Sequence, residues 1–169
     1  MGVTIHFEGR LANDVSIDRV VEVAREYAKH QGWRTDEVNE ASVTLQRVRG
    51  EEPQDYTGPV RGLVLHPHEW SDPVRLEFDE TRYIQEFVKT QFAGGEVHTQ
   101  VIELLDSLQP YFETLAVDDE GEYWGTRDLD ALSRHLSNTS GALEDYLREH
   151  PGSNGPVKLE SGRIVDIIE

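Results

Sequence analysis

Residues 60–92 read VRGLVLHPHEWSDPVRLEFDETRYIQEFVKTQF, and the reading of this stretch decides the fold. Three β-rich runs follow one another at residues 60–66, 74–78 and 83–92, parted by HPHEWSDP and then by DET. Runs this close in the chain pair with one another, and short links make that pairing antiparallel. Leu63 and Leu65 in the first run, and Leu76 and Phe78 in the second, are the side chains expected to face a core. The third run is the ambiguous one, because Ile84, Phe87, Val88 and Gln91 would share one face of a helix. Its aromatic and β-branched content favours a strand, and the Asp79-Glu80-Thr81 link suits a hairpin.

Outward from this centre the patterns change to helical ones. Val3, Ile5 and Phe7 alternate with polar residues and predict a half-buried strand. Ile17, Val20, Val21, Ala24, Tyr27 and Ala28 then recur at helical spacing over residues 15–30. Lys29 and His30 suit the negative end of the helix dipole, and Gly32 suits the left-handed residue that follows it. Residues 41–48 read as a second strand, and residues 49–59, with Gly50, Pro53, Gly58 and Pro59, as a loop. After the Gly94-Gly95 break, Val97, Val101, Leu104, Leu105 and Leu108 predict a helix that Pro110 limits. Residues 115–124 suggest a hairpin around Asp118-Asp119-Glu120-Gly121. Residues 127–149 suggest one long helix with a weak middle at residues 138–141, and residues 157–168 a terminal hairpin.

The order β-α-β-β-β-β-α groups strands together instead of alternating them with helices. That predicts an α+β fold with a mostly antiparallel sheet and helices packed on one face, as a single domain over residues 1–169. The order resembles the TATA-box-binding-protein-like arrangement, a curved sheet backed by helices. The resemblance is one of topology alone and implies no function.

Composition narrows the partners. Thirty-three acidic residues against 16 basic ones give a net charge of −17. Affinity for phosphate backbones comes largely from Lys and Arg, so nucleic acid is not the expected partner. An anionic membrane surface would repel the chain for the same reason. A basic protein is the electrostatically matched partner, although high charge also keeps a protein soluble. The 16 cations include only three lysines, Lys29, Lys89 and Lys158, a skew that carries no functional reading by itself. With no cysteine there is no thiolate chemistry, and with no long apolar run the expected location is the cytoplasm.

Three groups of residues carry chemical suggestions. In His66-Pro67-His68-Glu69 two imidazoles two residues apart would share one face of a strand and could chelate Zn²⁺, with Glu69 and His98 as further ligands. The competing reading is a polar turn between two strands, which Pro67 favours. Asp118, Asp119 and Glu120 concentrate carboxylates as a hard-cation site would, but without the ligand spacing of a calcium loop, so an acidic turn fits better. Trp70 and Trp124 sit at predicted turns, where exposure would make them the apolar centre of an acidic-rimmed interface. No nucleophile elbow or phosphate-binding loop occurs, and no catalytic residue is assigned. The expected function is therefore a non-enzymatic, immunity-like binding protein for a basic protein partner. A metal-dependent hydrolase built on the His-x-His pair is the alternative. A small-molecule pocket between the sheet and the long third helix is a further option.

Overall fold

The computed structural model describes residues 2–169 and has an α+β fold of helices and antiparallel sheets. The central stretch forms three strands, β5 (Tyr56–His66), β6 (Val74–Phe78) and β7 (Tyr83–Lys89). They belong to two three-stranded sheets. In one, β5 lies between β2 (Arg34–Leu45) and β6; in the other, β1 (Thr4–Leu11) lies between β7 and β8 (Phe112–Asp119). Every pairing is antiparallel. The register sets Leu63 beside Leu76 and Leu65 beside Val74, so the apolar sides of β5 and β6 coincide. Gly62 lies where a Cβ would stand 1.6 Å from the Leu76 carbonyl oxygen, so only glycine permits the strands to approach this closely.

β6 and β7 are joined by a turn yet share no ladder. In a strand, carbonyls two residues apart point to the same edge, so the edge of β7 toward β6 presents those of Tyr83, Gln85, Phe87 and Lys89. Each finds a donor that is not part of a paired strand. The two outer ones accept from the backbone N–H groups of Asp79 (3.1 Å) and Asp72 (2.9 Å). The two inner ones accept from guanidinium groups, Gln85 O from Arg47 Nη1 (2.8 Å) and Phe87 O from Arg163 Nη1 (2.7 Å). Arg47 also reaches Glu77 O on β6 at 3.2 Å, so one buried side chain ties the sheets together. The Asp79 and Asp72 carboxylates complete the seam by accepting from Tyr83 N (3.2 Å) and Lys89 N (3.0 Å).

Two helices cover one side of this layer, α1 (Ile17–Gln31) and α2 (Gly95–Leu108). Ser16 caps the first, its Oγ accepting from Arg19 N at 3.2 Å, and Gly32 ends it in the left-handed region at φ 74°. Val20, Val21, Ala24 and Ala28 from α1, and Val101, Leu104, Leu105 and Leu108 from α2, join one core cluster with Ile5, Phe7, Leu63, Leu65, Leu76, Phe78, Ile84 and Val88. Complete burial of each Val, Leu, Ile or Phe among them stabilises by about 1.5–3 kcal/mol, offset by chain entropy.

Besides the hairpin expected between β6 and β7, which does not form, three expectations need correction. β2 starts at Arg34, not at residue 41, because residues 34–40 pair with β5 through backbone bonds without apolar alternation. Residues 49–59 hold a small hairpin, β3 (Val48–Arg49) with β4 (Glu52–Pro53), and the first residues of β5. The hairpin expected at 115–124 is absent: β8 runs to Asp119 and a short helix, α3 (Tyr123–Thr126), follows. The Asp119 carboxylate accepts from Gly121 N and Trp124 N, both at 2.8 Å, which turns the chain into that helix instead of a return strand. The long helix α4 (Leu129–Glu149) is one helix as expected; it packs on α2 and α3, and only Ala131 and Leu132 are buried. The terminal hairpin forms, with β9 (Val157–Lys158) paired to β10 (Ile164–Val165). Among the described residues, no helix is long and apolar enough to cross a membrane.

Leu104→Ala is expected to cost about 2–5 kcal/mol in urea unfolding, as for a fully buried leucine. Arg47→Ala leaves two carbonyls at the seam without donors and is expected to cost about 2–4 kcal/mol, against less than about 0.5 for the exposed Arg49→Ala.

Candidate functional site

On β1, Ile5, Phe7 and Leu11 are buried while His6, Glu8 and Arg10 are exposed, so the second set marks the face turned away from the helices. The register carries that face onto both neighbours. His6 lies between Phe87 and Asp118, and Glu8 between Gln85 and Ala116. Contacts agree: the His6 and Phe87 ring centroids are 6.0 Å apart, and Glu8 Oε2 accepts from Gln85 Nε2 at 3.0 Å.

This face is the floor of an open cleft of about 780 Å³. Its walls come from far along the chain. Residues 43–48 overhang one side, where Arg47 is anchored at the seam, and Val48 N and O bond the Gln85 side chain at 2.7 and 2.8 Å. Arg75 and Glu77 of β6 contribute another part, and Arg163 from the terminal hairpin lies over the Phe87 ring, 4.1 Å from its centroid. The volume falls in the range of sites that hold a small ligand or a few residues of peptide.

The charges in the cleft are unequal. Arg75 pairs with Glu77 at 3.3 Å, and Arg163 with Glu86 at 2.9 Å and with the buried Asp72 at 3.4 Å. Burial pushes the Glu86 carboxyl up, against the pull of Arg163, and the neighbouring Glu77 adds to the rise. Glu8 and Asp118 line the cleft too, and among the described residues neither is within ion-pair distance of a cation. Glu8 instead accepts from Tyr83 Oη at 2.5 Å. Burial, then this hydrogen bond and the Glu8 charge, push the Tyr83 phenol up to about 12. Beside the carboxylates lie apolar groups still open to solvent, with Phe87 43% and Val48 52% exposed.

A second cluster looks more like chemistry but is closed. Thr90 Oγ1 lies 2.7 Å from His98 Nδ1, and His98 Nε2 lies 3.0 Å from Asp119 Oδ1, out of line for a good hydrogen bond. Hydroxyl, imidazole and carboxylate stand in the order of a nucleophile relay. Thr90 and His98 are both 0% exposed, so no substrate reaches the hydroxyl. The cluster ties the end of β8 to α2 and to the segment after β7. Burial raises the Asp119 carboxyl, but His98 and the N–H groups of Trp124 and Gly121 outweigh it and hold the group below the usual carboxylate range.

The residues singled out in the sequence fall into separate places. His66 Nε2 lies 2.8 Å from Asp36 Oδ2, the His68 Nδ1 atom accepts from Trp70 N at 3.0 Å, and His98 sits in the buried cluster. Glu69 offers its backbone carbonyl to Lys158 Nζ at 3.0 Å. No group of three or more potential ligands that could hold a metal ion occurs among the described residues. Asp118, Asp119 and Glu120 diverge, into the cleft, into the buried cluster and onto His6 at 3.1 Å, respectively. Trp70 is 38% exposed on the turn between β5 and β6, whereas Trp124 packs partly buried against the core beneath Arg127. The cleft's lining includes no residue of α4, so it is not the pocket between the sheet and the long helix that the sequence offered as a further option. Sequence reading missed Glu8, Phe87 and Arg163 as site residues; alternation in β1 marks Glu8 as outward-facing, but nothing local links it to the other two. No protein-family model, curated protein or solved structure matches the chain.

Two titrations check these environments. Tyrosinate absorbance should show one phenol ionising near pH 12, and Tyr83→Phe should remove it. Asp119 has a folded pKa below its unfolded one, so its contribution is present above about pH 4 and is lost as pH falls through the folded value. Asp119→Asn is therefore expected to lower stability at neutral pH and to flatten the acid limb of the stability curve.

Proposed function

We propose that the protein is a non-enzymatic, immunity-like binding protein that takes a basic protein partner on its anionic surface. The observation that carries this reading is the cleft on the outer sheet face, where Glu8 and Asp118 have no cationic partner among the described residues and stand near exposed apolar side chains. A net charge of −17 extends the same preference over the whole chain, since such a field attracts a cationic protein and speeds its encounter. The only hydroxyl–imidazole–carboxylate series described above is sealed in the interior, which favours binding over nucleophilic catalysis.

Affinity capture from cell extract at roughly 50 mM salt is expected to retain a basic protein. The dissociation constant of the purified pair should rise by about an order of magnitude or more toward 200 mM, because surface charges are screened over roughly 10 Å at these ionic strengths. An acidic partner, or affinity indifferent to salt, would overturn the reading.

A further inference from the structure

Resting on that reading, we infer that the outer-face cleft is the docking site for an extended segment of the basic partner, one that carries an Arg or Lys close to an apolar residue. The order of the floor argues for this occupant. Across β7, β1 and β8 it runs Phe87, His6, Asp118 in one row and Gln85, Glu8, Ala116 in the next. Neighbouring strands are about 4.8 Å apart, so the apolar and anionic ends of the first row are separated by roughly 10 Å. An extended segment crossing the strands spaces same-face residues about 7 Å apart, and long side chains make up the remainder. A cationic side chain then sits over Asp118 and Glu8 while its apolar neighbour meets Phe87 and Val48.

The cations already present reinforce the selection. Arg75 is spent on Glu77 and the Ser161 carbonyl, and Arg163 on Glu86, Asp72 and the Phe87 carbonyl, so neither neutralises Glu8 or Asp118. An anionic segment would meet two uncompensated carboxylates. A wholly apolar one would bury both charges without a cation, Glu8 keeping only its hydrogen bonds from Tyr83 and Gln85, and both arrangements are costly. Ala116 keeps the β8 side of the floor low, because any larger side chain there would rise into the space.

The test uses the full chain and two synthetic peptides, acetyl-Ser-Leu-Ser-Arg-Ser-amide, whose Leu and Arg share one face when extended, and its counterpart with Glu in place of Arg, followed by amide chemical shifts. The Arg peptide should move the signals of residues 6–8, 85–87 and 116–118, and the Glu peptide should leave them in place. Glu8→Gln with Asp118→Asn should weaken binding about tenfold or more, as expected on removing partners of a close charge pair. Ala116→Trp should abolish binding while leaving the unfolding midpoint close to that of the parent. Shifts confined to another surface, or equal binding of the Glu peptide, would overturn the assignment. If the basic partner is captured yet is indifferent to Ala116→Trp, the cleft is excluded while the function proposed above survives. If the Arg peptide does not bind and no basic partner is captured, both fall together.

Discussion

Everything in this fold turns on how the open edge of β7 is satisfied. A strand edge left without partners exposes carbonyls that are costly to bury unpaired. Here β6 follows immediately in the chain yet does not ladder with β7, and the edge is closed by two backbone N–H groups and two arginines. Guanidinium suits this work because its donors are fixed in a planar fork and its charge strengthens each bond. Arg47 spans the seam, and Arg163 fastens the terminal hairpin to it. The abundance of arginine, uninformative as composition, has at least this structural use.

The same two arginines make the cleft. Holding Arg47 at the seam obliges residues 43–48 to overhang the outer face, and holding Arg163 brings the chain's last hairpin against Phe87. The joint between the sheets and the walls of the candidate site are therefore a single construction. Because Arg163 is committed to carbonyl, carboxylate and ring, it shapes the site without neutralising the carboxylates that remain free.

Adjacent acids meet different fates for a simple reason. Successive residues of a strand face opposite ways, so Asp118 looks into the cleft while Asp119 looks toward His98 in the interior. Buried, Asp119 needs donors and finds them in two backbone N–H groups that also start α3. Glu120, past the strand end, is left for His6. One acidic run thus supplies a binding surface, an internal clasp and a rim contact.

The fold class was legible locally. Alternation in β1, the helical stripes of α1 and α2, and the crowding of strands between residues 60 and 92 each follow from a period of two or 3.6 residues, which burial on one side imposes. Legibility failed where a strand carries no apolar alternation, as at residues 34–40, and where one side chain redirects the chain, as Asp119 does after β8. The candidate site was hardly legible at all. The His66 and His68 pair was conspicuous because its members are close in sequence, whereas Glu8, Phe87 and Asp118 become neighbours only through strand register. Arg47 and Arg163 bind carbonyls on β7 from 38 and 76 residues away. By itself the sequence determined the fold class, most of the elements and the anionic character; only the tertiary structure decided which carboxylates stay unpaired and where a partner can reach them, because pairing between distant residues leaves no periodic trace in the chain.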